Sequence, residues 1–282
     1  MPDNTLLELA VPHSAQGQKR RLMLAALIVC ALGCRTTLAR KPDPQRGFAI
    51  LAATRDSMPG YVGNSLRCFS CHLENGRRRN AIPLTSTYTH YPRPNPRDGS
   101  TMSIYDRVNN CFTRSLAGRN IPKDSREMGD IVAYLALIAR GLPPHSHLAG
   151  DGLVTMPTLS GDTTRGGAIF LARCARCHGA NGQGIPPATP LWGQRSYGIG
   201  ASMARVSRAA SFIRYNMPFD SAGVLDDQQA YDVAAYVVSH ARPDTRGKQD
   251  DWPNGGAPWD VPYTTRGHVA YNPPPVLAPA FR

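Results

Sequence analysis

Two short runs of the chain combine residue types and spacing in the way that attaches haem covalently. They are Cys68–His72 (Cys-Phe-Ser-Cys-His) and Cys174–His178 (Cys-Ala-Arg-Cys-His). Two thiols one helical turn apart can add to the two vinyl groups of one porphyrin, and the histidine that follows them lies beneath the iron. We therefore predict two covalently bound haem c groups. The predicted attachment residues are Cys68, Cys71, Cys174 and Cys177, and the predicted proximal ligands are His72 and His178.

Other sites made of the same residue types fit the pattern less well. The alternatives are a zinc site, a thioredoxin-like redox pair and a structural disulfide. A zinc site generally needs four ligands, and it gives no reason for a histidine to follow the second cysteine directly on two occasions. Two such motifs behind an export signal therefore favour haem.

Both motifs belong to an internal repeat. Ahead of them, residues 46–50 (Arg-Gly-Phe-Ala-Ile) match residues 165–170 (Arg-Gly-Gly-Ala-Ile-Phe), and after them residues 130–135 match residues 232–237. Each half thus has the order helix, haem motif, loop and helix, which is that of a class I cytochrome c. The predicted fold is mainly α, with two class I cytochrome c-like helical domains, each around one covalently bound haem. Amphipathic periodicity predicts the C-terminal helices of the two domains over 125–139 and 226–239.

The length of 282 residues suits two modest domains. A glycine- and proline-rich stretch between the two halves predicts a linker. The expected division is a targeting segment (1–39), an N-terminal cytochrome c domain (40–140), a linker (141–164), a C-terminal cytochrome c domain (165–245) and a proline-rich tail (246–282).

The N-terminus has the features of an export signal. Residues 18–21 are basic, and residues 22–32 form an apolar run too short to span a bilayer comfortably. Residues 37–39 resemble a signal-peptidase site, whereas residues 32–34 form an imperfect lipobox that would lipidate Cys34. Because covalent haem attachment accompanies export, we expect a periplasmic protein, with a lipid anchor at Cys34 as the alternative to simple cleavage.

The repeat also predicts the sixth ligands of the two irons. Met217 precedes the last helix in an Asn-Met-Pro loop, where class I cytochromes place a methionine on the iron, and it follows His178 by 39 residues (217 − 178). The same offset from His72 leads to Cys111 (72 + 39), the one cysteine outside the haem motifs and the targeting segment. We therefore predict ligation by His72 with Cys111 and by His178 with Met217.

Inert alternatives exist at both positions. A free cysteine most often packs as a small hydrophobe, in which case Met102 or Met128 would ligate the first iron. Met203 is the corresponding substitute for Met217. An unpaired thiol in an oxidising compartment is a liability unless it is used, and this favours Cys111 as the ligand.

The two ligand sets predict different roles. His/Met ligation raises a haem potential and suits the second haem to electron transfer, whereas a thiolate lowers the potential of the first. A thiolate released from iron is also a nucleophile, which a pure electron relay does not need. The first haem is therefore suited to chemistry on a sulfur compound.

Basic residues near Cys111 indicate an anion site. If this stretch is helical, Arg107 and Ser115, four residues before and after Cys111, share its face. Arg97 and Arg114 are close in sequence, and guanidinium groups bind oxyanions through directed hydrogen bonds. Pairing of these arginines with haem propionates or carboxylates is the alternative.

The formal net charge of +12 suits anionic or acidic partners. Arginine and lysine are scattered along the chain and no nucleic-acid-binding motif accompanies them. We therefore expect no nucleic-acid partner.

These residues resemble the thiosulfate dehydrogenase family of dihaem cytochromes, in consistent order from Arg46 to Tyr263. The most specific part is residues 107–115 (Arg-Val-Asn-Asn-Cys-Phe-Thr-Arg-Ser). Three consecutive arginines at 77–79 and a short segment at 184–188 depart from the family pattern. The other matching segments are residues 64–68, 71–73 and 190–193 and the tail from Asp251 to Tyr263.

The resemblance implies a reaction and a site. Family members couple two thiosulfate ions into tetrathionate with release of two electrons, and some favour the reverse reduction. A cysteine matching Cys111 is the distal ligand of the catalytic haem, and residues matching Arg97, Arg107 and Ser115 lie by the active site. The second haem carries methionine, or in some members a lysine one position earlier, where this chain has Asn216. We expect the electrons to leave through the second haem to an external cytochrome.

Two alternative functions stay open at this point. One is a non-catalytic dihaem electron carrier, which two His/Met sites would have favoured. The other is a cytochrome subunit linked to a sulfur-carrier protein, which would join thiosulfate to a cysteine of its partner and be inactive alone. The residues leave open whether Cys111 bonds the sulfane sulfur or the anion is oxidised at the haem edge.

Overall fold

The computed structural model describes residues 40–271. The predicted targeting segment, with Cys34, and the end of the predicted tail lie outside the described residues. Both haem motifs lie in one compact unit, which begins at Pro42. The described part is mainly helical, as predicted. None of its helices has the length and apolar character needed to cross a membrane.

The regular elements are short and separated by long loops. Both predicted C-terminal helices form, and they begin after the side-chain caps Ser125 and Asp226. A five-residue π-helical turn, Cys111–Ser115, follows the helix Ile104–Asn110, and an antiparallel ladder pairs β1 (Arg93–Pro94) with β2 (Thr101–Met102). Single 3-10 turns cover Cys68–Ser70, Thr87–His90, Ser202–Ala204 and Lys248–Asp250. The α-helices are α1 (Pro44–Ala52), α2 (Thr54–Ser57), α3 (Leu73–Gly76), α4 (Ile104–Asn110), α5 (Arg126–Ile138), α6 (Thr163–Arg173), α7 (Ala175–His178), α8 (Val206–Asn216) and α9 (Asp227–Val238).

In the first half, α1 crosses α5 where the two backbones nearly touch. A Cβ placed on Gly47 would lie 2.0 Å from the carbonyl oxygen of Asp130 and 2.9 Å from Cβ of Tyr134. Any side chain at this position would therefore push the helices apart. The buried carboxylate of Asp130 also accepts the backbone N–H of Asp43, the N-cap of α1, at 2.6 Å. The start of the first helix is thus anchored to the middle of the last.

The second half repeats this crossing with α6 and α9. A Cβ on Gly166 would lie 2.0 Å from the carbonyl oxygen of Asp232 and 3.0 Å from Cβ of Tyr236. Asp232 accepts the backbone N–H of Asp162 at 2.8 Å, and Arg165 donates to both of its oxygens at 2.8 and 3.0 Å. The repeated residues of the sequence are therefore the residues that form the helix crossing in each half.

A hydrophobic core extends from each crossing. In the first half it includes Phe112, Met128 and Ile131, which are almost fully buried. In the second half Phe170 packs against Trp192, with ring centroids 5.1 Å apart. Full burial of one such side chain contributes about 1.5–3 kcal/mol.

The end of the described chain folds back over the rest, and we call residues 246–271 the C-terminal strap. Its buried carboxylate, Asp251, accepts two hydrogen bonds from Arg114 at 2.7 and 2.6 Å. The hydroxyl of Tyr263 donates to the same carboxylate at 2.7 Å. Burial and this hydrogen bond raise the pKa of Tyr263 to about 12, so the phenol stays a donor. The strap is thereby tied to the turn that contains Cys111.

Further contacts fasten the strap at Trp252 and Asp260. The backbone N–H of Trp252 donates to the carbonyl of Arg97 at 2.6 Å, and the guanidinium of Arg97 lies over the Trp252 ring at 5.4 Å. Asp260, which is fully buried, accepts from Arg205 and from the backbone and hydroxyl of Ser207. The strap therefore contacts both α8 and the loop that carries Arg97.

Replacement of Gly47 by alanine should destabilise the first domain. The added methyl has no room at the crossing, and an overpacked site of this kind costs about 1–3 kcal/mol. Gly129→Ala is the matched control, because its Cβ would lie 3.6 Å from the nearest atom, in Pro42, and alanine favours a helix interior. Thermal unfolding of the two holoproteins would show the effect. Equal midpoints would contradict the close crossing.

Replacement of Asp251 by asparagine should loosen the strap. The change removes the buried charge that pairs with Arg114, and breaking such a pair costs about 3 kcal/mol. Asp250→Asn is the control, because Asp250 pairs with Arg266 at 2.8 Å on the surface and such a pair is worth at most about 1 kcal/mol. The free energy of unfolding from denaturant titrations should fall in the first variant and hardly change in the second.

Candidate functional site

The first haem motif lies between α2 and α3. The hydroxyl of Thr54 accepts the backbone N–H of Cys68 at 3.0 Å, and the backbone N–H of His72 donates to the carbonyl of Cys68 at 3.1 Å. Nδ1 of His72 lies 2.6 Å from the carbonyl oxygen of Ile82. With the proton on Nδ1, this hydrogen bond orients the ring and leaves Nε2 as the nitrogen for a metal.

The second haem motif begins at Cys174, the C-cap of α6, and continues through α7. The backbone N–H of His178 donates to the carbonyl of Cys174 at 2.9 Å, and Nδ1 of His178 lies 2.9 Å from the carbonyl oxygen of Thr189. Burial lowers the pKa of His178, which favours the neutral imidazole that ligates iron.

The donor set of both motifs fits covalent haem c. All five cysteines within residues 40–271 are free thiols, so the motif cysteines are not used up in disulfides. Each motif thus offers two thiols and one imidazole whose Nδ1 is occupied by a backbone carbonyl. This combination is what haem attachment and proximal ligation require.

Cys111 lies at the start of the π-helical turn. The backbone N–H of Leu116 donates to the carbonyl of Cys111 at 2.9 Å, a bond that spans five residues and widens the helix at this point. Nη1 of Arg107, one turn earlier on α4, donates to Sγ of Cys111 at 2.9 Å. Arg107 and Cys111 therefore share a helix face, as their spacing predicts.

The electrostatics around Cys111 favour the thiolate. Burial raises the pKa of this thiol, but the positive charge of Arg107 and a hydrogen bond with His72 outweigh burial and lower the pKa from 9.0 to about 6. The same interaction raises the pKa of Arg107. Because His72 contributes to lowering this pKa, its side chain lies near the thiol. Ligation of one iron by His72 and Cys111 stays a prediction.

The two methionines considered for the first iron have other contacts. Met128 lies in the middle of the first hydrophobic core and is completely buried. Met102, at the end of β2, is also buried, and its sulfur accepts a hydrogen bond from Asn110 at 3.2 Å. Both side chains therefore have packing contacts of their own, and the preference for Cys111 over them as the iron ligand stays a prediction.

Met217 follows α8 directly and packs between the two halves. It contacts the cluster formed by Leu73, Ala81 and Phe212, and Met203 packs against the same cluster. The neighbouring Asn216 is fully buried, and its amide donates to the carbonyl of Asn80 at 2.9 Å. Ligation of the second iron by Met217 stays a prediction.

Arg97 is held by the C-terminal strap near the other arginines. Its Nη2 donates to the carbonyl of Gly200 at 3.1 Å, and its Nε lies 3.6 Å from the carboxylate of Asp251. Burial lowers the pKa of Arg97, and the positive charges of Arg114 and Arg107 lower it further. The site thus concentrates positive charge. The charge of Arg114 is already neutralised, because this residue donates two hydrogen bonds to Asp251.

Ser115 ends the π-helical turn and is half-buried. Its carbonyl accepts the amide of Asn64 at 2.8 Å, and the same amide donates to the carbonyl of Ser196 in the second half at 2.9 Å. Asn64 is buried and connects the turn that contains Cys111 to the second half of the chain. Any contact of the Ser115 hydroxyl with substrate stays a prediction.

Two residues without a predicted site role, Tyr91 and Asp251, also lie at the site. The phenol of Tyr91 lies close enough to Arg107 to raise the pKa of that guanidinium, and burial raises the pKa of Tyr91 itself. Asp251 holds Arg114 and Arg97 although it lies 137 residues after Arg114. Nothing in the spacing relates these residues to Cys111, since only the folded chain brings them together.

The chain matches known proteins over both domains. Two family models fit it, the SoxA/TsdA cytochrome c domain over residues 59–143 and cytochrome c over residues 163–241. The thiosulfate dehydrogenase of Psychrobacter arcticus is 39% identical over 226 residues, which cover 77% of this chain and 68% of that protein. The thiosulfate dehydrogenase of Allochromatium vinosum is 38% identical, over 70% of this chain and 77% of that protein.

A solved structure agrees with these relatives. The thiosulfate dehydrogenase (TsdBA) from Marichromatium purpuratum is 28% identical, with a TM-score of 0.70, over 83% of this chain and 57% of that one. The family resemblance and the fold of two cytochrome c domains are confirmed. The chain therefore belongs to the thiosulfate dehydrogenase family, a family of oxidoreductases.

Proposed function

We propose that this protein is a periplasmic dihaem cytochrome c that oxidises two thiosulfate ions to one tetrathionate. The observation that carries the proposal is the hydrogen bond from Arg107 to Sγ of Cys111 at 2.9 Å, in the space that His72 also faces. A sulfur atom held by a guanidinium suits a reaction between sulfur-containing anions. The relatives at 37–39% identity are thiosulfate dehydrogenases.

In this proposal the chain holds two haem c groups, which supply one-electron oxidation and reduction when bound. The carbonyls of Ile82 and Thr189 keep the proximal imidazoles in place. Cys68 with Cys71 and Cys174 with Cys177 would form the thioethers, and His72 with Cys111 and His178 with Met217 would hold the two irons.

The reaction needs positive charge more than it needs a general base. Two dianions must meet so that a bond forms between their sulfane sulfurs, and the balance 2 S₂O₃²⁻ → S₄O₆²⁻ + 2e⁻ involves no proton. Arg107 and Arg97 would offset the repulsion between the two ions. Tyr91 and Asp251 would act as positioning residues, because they hold these two guanidinium groups.

Cys111 would take part through its sulfur by one of two routes. In the covalent route the thiolate and one thiosulfate lose two electrons and form Cys–S–S–SO₃⁻. A second thiosulfate then bonds to the sulfane sulfur, which releases tetrathionate and returns the thiolate. In the other route Cys111 stays a ligand and the arginines alone bring the two anions together. An adduct on Cys111 in the intact mass of thiosulfate-treated protein would distinguish the covalent route.

The proposal includes export and electron exit. The basic and apolar N-terminal segment supports export to the periplasm, with either cleavage after residue 39 or lipidation of Cys34. Cys177 is exposed, so the second motif reaches the surface, where an external cytochrome could dock and accept electrons. The same site would also catalyse reduction of tetrathionate when the electron supply is reversed.

Replacement of Cys111 by glycine should abolish thiosulfate-dependent ferricyanide reduction. The variant loses the reactive sulfur, and a loss on the order of 1000-fold in kcat is expected for such a group. Met102→Leu, a volume-conserving change in the core, should keep the activity. Tetrathionate is quantified, and both variants are compared at equal haem content. Full activity in the glycine variant would contradict the role of Cys111, and an inactive wild type with intact haems would favour the partner-dependent alternative.

Replacement of Arg107 by glutamine should lower kcat/KM for thiosulfate by about 100-fold, as removal of one directed donor does in other anion sites. Arg140→Gln is the control for net charge, because Arg140 is exposed after α5. The control should stay within about twofold, since solvent screens a distant surface charge. Steady-state kinetics at constant ionic strength would decide, and equal losses in both variants would mean that only general attraction of the anion matters.

A further inference from the structure

Three potential metal ligands lie together outside the residues assigned to iron. His90 ends the 3-10 turn Thr87–His90, and His147 and Asp151 belong to the loop between α5 and α6. One ligand atom from each side chain lies within 4.8 Å of the others. The loop is also fastened nearby through its backbone, since the N–H of His145 donates to the carbonyl of Thr89 at 2.9 Å.

Hydrogen bonds orient the carboxylate of Asp151, but they reach only one of its two oxygens. Its Oδ2 accepts the hydroxyl of Ser86 and the backbone N–H of Leu148, both at 2.7 Å. Its Oδ1 is buried without a hydrogen-bond partner among the described residues. Burial of a carboxylate oxygen without a hydrogen-bond partner destabilises the fold, and a cation or a hydrogen-bond donor at this position would remove that cost.

The two histidines complete the site. Nε2 of His90 lies 2.6 Å from the carbonyl oxygen of Ser146, so this nitrogen carries the proton and Nδ1 is left as a ligand. Metal-binding histidines generally donate their other N–H to a carbonyl in this way. The ring of His147 is exposed and stacks on His90 with centroids 4.7 Å apart. The loop can therefore bring a second imidazole to the ion without disturbing the core.

We propose that His90, His147 and Asp151 form a binding site for a divalent transition-metal ion, with Zn²⁺ as the best match. Two imidazoles and one carboxylate suit zinc, whereas Mg²⁺ and Ca²⁺ prefer oxygen ligands alone. Three protein ligands leave the fourth position for water or a small anion. None of the three residues is assigned to the irons or to the proposed reaction.

A bound ion would fasten the loop beside the first haem motif. The loop pairs with the segment after that motif, because the carbonyls of Gly150 and Gly152 accept the N–H groups of Asn80 and Ile82 at 2.8 and 3.0 Å. The carbonyl of Ile82 in turn orients His72. Zinc would therefore stabilise the surroundings of the first haem without contacting the haem ligands.

The test is a zinc titration of the tag-free, chelator-treated holoprotein with both haems attached. The wild type should bind one Zn²⁺ in competition with a chromophoric chelator, and its midpoint of thermal unfolding should rise. X-ray absorption at the zinc edge should show nitrogen and oxygen neighbours. Binding of no zinc, or a zinc spectrum with sulfur neighbours, would overturn the proposal.

Matched variants locate the ion. His147→Ala and Asp151→Asn should each weaken zinc binding at least about tenfold, and both should keep the visible spectrum of the haems. His145→Asn is the control on the same loop, because this exposed histidine is not in the cluster and asparagine tolerates its positive φ of 59°. Equal zinc affinity of His147→Ala and wild type, or an equal loss in His145→Asn, would mean an adventitious surface ion and would overturn the site.

Discussion

The close crossing of the first and last helices in each half is the constraint on which the rest of the structure depends. Gly47 and Gly166 let the helix backbones approach to a distance that no other residue would allow. The buried carboxylates of Asp130 and Asp232 then anchor the start of the first helix in each pair. In each half, the haem motif and the predicted sixth ligand lie between these two helices in sequence. The crossing therefore determines the positions of both.

Within this frame the two halves use the same plan for different chemistry. Both motif histidines are oriented by a downstream carbonyl, and within residues 40–271 the basic cluster around a cysteine lies in the first half. The π-helical turn places Cys111 beside Arg107, and the C-terminal strap adds Arg97 through Asp251. Much of the charge needed to hold an anion is thus supported by a segment that follows the second domain in sequence.

The network around Asp251 shows how the charges are apportioned. Arg114 donates two short hydrogen bonds to this carboxylate, so its charge is neutralised there and stabilises the position of the strap. Arg107 contacts the thiol itself, and Arg97 is partly held between Asp251 and a backbone carbonyl. Neighbouring guanidinium groups thus have different partners, and in the proposed reaction Arg107 and Arg97, rather than Arg114, would face the anion.

The sequence by itself determined the two haem motifs, the repeat, the helical fold and the singular position of Cys111, because covalent spacing and helical periodicity are local properties. It also predicted that Arg107 shares a face with Cys111. The tertiary structure decided which arginines stay available, and it brought Asp251, Tyr91 and Asn64 to the site. Those contacts join residues far apart in the chain. No local pattern encodes them, since they depend on how the strap and loops pack against the crossed helices.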